Sequence, residues 1–238
     1  MNRAARILLL STSAVFGSEY FAYVEDELRD FLGGVKRVLF VPFALHDHSA
    51  YAGRVRKRFV EMNYELDSLH EAKQMQDAVR AAEAIFIGGG NTFRLLKALY
   101  DAELLQVIRE RVAQGMPYLG SSAGSNVAGP TIKTTNDMPI VQPRSFDSLG
   151  LVPFQLNPHY LDPDPASTHM GETREERILQ FLEESDTPVI GLREGAMLRI
   201  ENGSCTLKGE TGARLFRRKL PPLELSAGSI DRFLPPPI

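Results

Sequence analysis

Ile85-Phe86-Ile87-Gly88-Gly89-Gly90 is a short apolar run entering a glycine turn, and Tyr118-Leu119-Gly120-Ser121-Ser122-Ala123-Gly124 repeats that arrangement further on. Between them, residues 92–100 and 103–114 carry helical spacing, and Gly115 with Pro117 closes the second helix. Upstream, Ile7-Leu8-Leu9-Leu10 and Val38-Leu39-Phe40-Val41 read as two more buried strands, the latter ending at Pro42. Residues 19–32 predict a helix through Tyr20, Phe21, Val24, Leu28, Phe31 and Leu32, stopped by Gly33-Gly34. A second, from about Ser49, puts Tyr51, Val55, Phe59 and Met62 on one face. Strands alternating with helices predict an α/β fold, a mostly parallel sheet flanked by helices on both faces. Function in such sheets gathers at the carboxyl ends of strands, here residues 88–91 and 120–124.

The later chain differs. Residues 126–170 hold many Pro, Asn, Asp and Thr with little periodicity and read as long functional loops. A capping box, Thr173 to Glu176, starts a helix with Ile178, Phe181 and Leu182 inward. Val189–Leu192 reads as a strand, and Met197–Ile200, Asn202-Gly203 and Cys205–Leu207 as a small β-hairpin near the C-terminus. One domain over 1–233 is expected, with a disordered Pro-rich tail at 234–238.

The 238 residues carry 27 Lys+Arg against 30 Asp+Glu, net −3, which argues against a dedicated nucleic-acid or anionic-membrane binder. The single cysteine, Cys205, excludes an internal disulfide and a Cys-based zinc site. The run Ile7–Leu10 is too short for a signal core, and no stretch approaches a membrane span, so a cytoplasmic protein is expected.

Gly120-Ser121-Ser122-Ala123-Gly124 fits G-x-S-x-G, a sharp strand-to-helix turn that pushes the central serine hydroxyl outward. Ser122 is therefore the candidate nucleophile, with Ser121 and Ser125 as structural neighbours. A serine hydroxyl needs a base. Of five histidines, His159 in Asn157-Pro158-His159-Tyr160 stands where a strand would end. His46-Asp47-His48 lacks a third spaced metal ligand and reads as a polar loop before a helix; His70 and His169 read as surface residues, His169 standing close enough to residues 171–176 to line a site. An orienting carboxylate should complete the set. Glu194, after a strand and before Gly195, and Asp137 in Thr134-Thr135-Asn136-Asp137-Met138-Pro139 are rivals.

Gly88-Gly89-Gly90-Asn91 fails the dinucleotide fingerprint, because Phe93 occupies the third glycine position. Its remaining use is to present the Gly89 or Gly90 N–H, with that of Ala123, to an oxyanion. Arg174, in the first turn of its helix, opposes the helix dipole. Its functional reading is a receiver for a ligand carboxylate. The run Arg54-Val55-Arg56-Lys57-Arg58 reads as a solvated helix side.

Taken in order, Gly88–Phe93, Gly120–Asn126, Thr134–Pro139, Asn157-Pro158-His159 and Gly171-Glu172-Thr173-Arg174-Glu175 resemble the peptidase E (α-aspartyl dipeptidase) family of serine peptidases. The resemblance covers nearly the whole chain. It implies a glutamine-amidotransferase-like fold and hydrolysis of dipeptides beginning with aspartate, without metal or cofactor. A monomer or a homodimer is expected, the sequence itself leaving the choice open. The resemblance also implies Ser122 as nucleophile, His159 as base and Glu194 as orienting acid. Asn91, Asp137 and Arg174 would lie around substrate, with Arg174 on the aspartyl carboxylate. Ser121 departs from the family pattern beside the nucleophile. Two competing readings are a cyanophycinase-like peptidase of aspartyl–arginine polymers and a non-catalytic binding module for a small acidic metabolite.

Overall fold

The computed structural model describes residues 5–166, 168 and 170–234. The first strand, β1 (Ile7–Leu10), is buried along its length. A tight turn at Ala22–Val24 precedes α1 (Glu25–Leu32), so this helix is shorter than the predicted 19–32. Phe21, at φ 58°, turns the chain ahead of it, and the helix begins where Glu25, Asp26 and Glu27 complement its positive end. Then follow β2 (Arg37–Val41), α2 (His48–Glu61), β3 (Glu65–Ser68), α3 (Met75–Ala81) and β4 (Ala84–Ile87). The Asp47 side chain caps α2, accepting from the Ala50 N–H at 2.8 Å. Next come α4 (Thr92–Asp101), α5 (Leu104–Ala113), β5 (Tyr118–Ser121), the short α6 (Ala123–Asn126), β6 (Gln155–Pro158), α7 (Arg174–Glu183) and β7 (Val189–Leu192). The chain ends in β8 (Met197–Glu201), β9 (Ser204–Lys208), β10 (Ala213–Phe216), β11 (Leu223–Leu225) and β12 (Gly228–Ser229).

An eight-stranded sheet runs β12-β9-β8-β1-β5-β4-β2-β3, parallel from β1 through β3 and antiparallel where the hairpin β8–β9 joins it. Side chains alternate between two apolar layers: Ile7, Leu9, Leu39, Val41, Ile85 and Ile87 on one face, Leu8, Leu10, Val38, Phe40 and Phe86 on the other. Burial on both faces is why these strands are continuous apolar runs. α2 covers the second face with Tyr51, Val55 and Phe59, with Met62 just beyond its end, as its spacing predicts. A four-stranded sheet, β11-β10-β7-β6, stands beside the first, with β6 and β7 parallel.

The loop stretch expected over 126–170 contains β6, and the rest is stapled by side chains. Asn126 Nδ2 and Thr134 Oγ1 each donate to the Leu156 carbonyl at 2.7 Å, and Asn157 Nδ2 donates to the Thr134 carbonyl at 2.8 Å. Among the described residues no helix is long and apolar enough to cross a membrane. His169 and Pro235–Ile238 of the expected tail lie outside the described residues.

Candidate active site

The carboxyl ends of β1, β2, β4 and β5 meet along one edge of the large sheet, and those of β6 and β7 reach it from the small one. β5 passes into α6 through Ser122, held at φ 51°, ψ −110°, outside ordinary L-residue conformations. Its N–H donates to the Leu10 carbonyl at 3.1 Å, which fixes the turn to β1. Tight packing explains the flanking glycines. A Cβ on Gly124 would stand 1.9 Å from the Ile87 carbonyl oxygen, and one on Gly120 2.6 Å from the Gly124 oxygen. Backbone cannot yield as a side-chain tip can. Gly124→Ala is therefore expected to cost at least about 3 kcal/mol and lower Tm by roughly 6–12 °C. An unchanged thermal denaturation curve would contradict this account of the turn.

His159 follows β6 at φ 54°. Its N–H donates to Ser11 Oγ at 2.9 Å, and that hydroxyl donates to the Leu192 carbonyl at 2.8 Å, so one serine at the end of β1 ties β6 to β7. The imidazole is thereby aimed two ways: Nε2 lies 2.9 Å from Ser122 Oγ, and Nδ1 lies 2.6 Å from Glu194 Oε1. A carboxylate only accepts, so the Nδ1 proton faces Glu194 and Nε2 is left to accept from the serine. Glu194 follows β7 and precedes Gly195, at φ 88°. Burial, then the charge of Glu194, pushes the Tyr23 phenol up, which leaves it protonated beside the carboxylate. Arg193 anchors the same turn, donating to Asp162 at 2.7 and 2.9 Å.

The rival carboxylate is engaged elsewhere. Asp137 Oδ2 accepts from the Thr92 N–H at 2.7 Å and the Thr92 hydroxyl at 2.6 Å, at the start of α4. Asn91 is committed at both ends: Oδ1 accepts from the Arg94 N–H at 3.0 Å and Nδ2 donates to the Met138 carbonyl at 2.8 Å. Both thus pin the loop around Asp137 to α4. Asp137 nevertheless lines a small hollow with Asn136, Thr92 and Ala123 beside Ser122 and His159. Arg174 follows the capping box, in which Glu176 N–H donates to Thr173 Oγ1 at 3.1 Å. Burial, reinforced by the like charge of Arg177, lowers the Arg174 guanidinium, and Asp137 pulls the other way. The arginine has no ion-pair partner among the described residues and lies within electrostatic range of that hollow.

At the glycine turn, a Cβ on Gly90 would stand 2.6 Å from the Ala44 carbonyl, and one on Gly89 3.0 Å from Ser122 Cβ. The Gly90 and Ala123 N–H groups have no acceptor among the described residues. That of Gly89 faces the Tyr51 hydroxyl, opposing the rise in the Tyr51 phenol that burial causes. Ser121 is buried within β5 and lines neither hollow at Ser122.

Reading residues 54–58 as a solvated helix side fits exposed Arg54 and Lys57 but not Arg58, whose side chain is mostly buried and pairs with Glu25, and it left the surroundings of Arg54 unread. Arg56 pairs with Glu71 at 2.7 Å and Arg58 binds the Tyr20 carbonyl at 2.8 Å, whereas Arg54 lines a second, larger hollow at Ser122 with Tyr20, Tyr51 and Leu45. The available signal was its position three residues after Tyr51, one turn along the same helix side. The pair His46 and His48 flanks the Asp47 cap; His48 packs on Phe43 and His70, with ring centroids at 5.2 and 5.8 Å. No group of three or more His, Cys, Asp or Glu among the described residues is placed to hold a metal ion.

A family model described as peptidase family S51 matches residues 7–208. The chain is 52% identical over 223 residues to a protein named peptidase E from Streptomyces coelicolor, covering 94% of this chain and 92% of that one. It is 48% identical over 220 residues to a Drosophila melanogaster protein named "Probable alpha-aspartyl dipeptidase", covering 91% and 92%. The crystal structure of a peptidase from an acI-B1 Actinobacterium superposes with a TM-score of 0.72 at 19% identity, covering 95% of this chain and 96% of that one; this likeness concerns the fold alone.

Proposed function

Because the chain belongs to peptidase family S51, we propose that it is a serine-type dipeptidase that splits Asp-Xaa through an acyl-enzyme on Ser122. The observation that carries this reading is the continuous run from Ser122 Oγ to His159 Nε2 at 2.9 Å and from His159 Nδ1 to Glu194 Oε1 at 2.6 Å. His159 takes the serine proton as Ser122 attacks the carbonyl after the aspartyl residue. Charge growing on that oxygen meets the free N–H groups of Ala123 and Gly90. The imidazolium, steadied by Glu194, protonates the leaving amine, and water then repeats the sequence to release aspartate.

Arg174 receives the aspartyl side-chain carboxylate, and the Asp137 oxygen not bound to Thr92 meets the free α-amino group. Asn91 acts through the loop it pins. The larger hollow has Arg54 and no carboxylate among its lining residues, which disfavours aspartyl–arginine substrates. A single catalytic domain over residues 1–233, acting in the cytoplasm as a monomer or homodimer, completes the reading; the lone buried Cys205 suits a reducing compartment.

A panel of Asp-Leu, Glu-Leu, Leu-Asp and Asn-Leu, followed by release of free amino acids, tests it. Asp-Leu is expected to be cleaved at least about tenfold faster than Asn-Leu, because an arginine facing a neutral amide loses a charge-assisted bond. Comparable rates on Asn-Leu or Leu-Asp would refute it.

A further inference from the structure

The hollow that Arg54 lines shares only Ser122 and His159 with the one that Asp137 lines. It is the larger of the two, a cavity of about 350 Å³, and among the described residues Arg54 is the one cation lining it outside the catalytic imidazole. The Arg54 guanidinium lies 5.2 Å above the Tyr51 ring and has no carboxylate partner among the described residues, unlike Arg56 and Arg58 on the same helix. Stacking on the ring leaves its fork of N–H donors free for a planar anion. Tyr20 and Tyr51 line the hollow with Arg54. The Tyr20 hydroxyl is buried close to the Tyr51 and Ser13 hydroxyls, with no partner at full hydrogen-bond geometry. Burial, then the Tyr51 hydroxyl, pushes the Tyr20 phenol far up, so it remains a neutral donor.

A dipeptide bound for cleavage has two halves. If its aspartyl half is held near Asp137 and Arg174, the leaving half must lie in the other hollow, because His159 borders both and delivers the proton to the leaving amine. In a dipeptide, the α-carboxylate of the leaving residue sits one carbon beyond that amine, so this anion necessarily falls close to His159. We propose that Arg54, laid over Tyr51, receives the α-carboxylate of the leaving residue and thereby restricts the enzyme to dipeptides. A longer peptide would bring an uncharged amide to the same place and forfeit the ionic bond. The inference rests on the Asp-Xaa reading above.

Initial rates on Asp-Leu and on Asp-Leu amide, which differ only in that charge, provide the test. The wild-type protein is expected to prefer the free acid in kcat/KM by roughly tenfold to hundredfold, the factor a hydrogen bond between charged groups supplies. Arg54→Met should bring the ratio close to one, and Arg54→Lys should keep most of it. Because Arg54 is exposed, neither change disturbs the core. A ratio unaltered in Arg54→Met, or a wild-type protein indifferent to the amide, would overturn the role of Arg54 while leaving the Asp-Xaa reading intact. A wild-type protein that cleaves neither compound would remove the Asp-Xaa reading, and the role of Arg54 with it.

Discussion

Alanine at position 122 is expected to lower kcat on Asp-Leu by at least about 10⁴-fold, the scale seen when the nucleophile of a serine triad is removed. The loss should fall on kcat and not on KM, because the residues argued to hold substrate, Arg174 and Asp137, lie on other elements. Stability should barely change. The strained turn is held by backbone, through the Ser122 N–H to the Leu10 carbonyl and the close approach of Gly124 to Ile87, and alanine keeps both. Hydrolysis within tenfold of wild type by Ser122→Ala would mean that another group attacks the peptide.

The second large effect is expected at Glu194. Glutamine there can turn its amide N–H toward Nδ1, which then serves the imidazole better in the tautomer that points a proton at Ser122. For a buried orienting aspartate the same exchange costs about 10⁴-fold. Here the His159 and Glu194 side chains are 38% and 48% exposed, so water screens the pair, and a loss of about 10²- to 10³-fold in kcat is expected. Asp137→Asn should act differently, raising KM for Asp-Leu, since Asp137 touches Thr92 and not the imidazole. Steady-state kinetics on the two variants separate the roles. Near-normal kcat in Glu194→Gln with collapse in Asp137→Asn would reverse the assignment.

Much of this was legible in the sequence, for physical reasons. Strands buried on both faces must be apolar throughout, so β1, β2, β4 and β5 announce themselves. Thr173 and Glu176 mark a helix start because each satisfies the other's backbone N–H. β3 escaped notice because it is an edge strand whose residues alternate between exposed and buried. The short strands β10 and β11 bury Ala213, Leu215, Phe216 and Leu225, but Arg214 and Glu224 interrupt them, and β12 is two exposed residues, so none reads as an apolar run. The choice between Glu194 and Asp137 was closed to pattern reading, because both are carboxylates in turns. What sets them apart is a contact across the chain: Glu194 lies 2.6 Å from His159 Nδ1, whereas Asp137 is engaged with Thr92. Arg54 was hidden by its neighbours: within a basic run, only packing distinguishes the cations already paired from the one facing a hollow.

The claim beneath the mechanism is that the His159 imidazole makes one hydroxyl among the chain's serines reactive. Treating the wild-type protein with a serine-directed fluorophosphonate, then locating the adduct by peptide mass spectrometry, measures that most directly. The expected result is a single adduct on Ser122, absent from Ser122→Ala and much slower to form in His159→Gln. An adduct on Ser121 or Ser125 instead, or equal labelling of Ser122 with and without the imidazole, would contradict it.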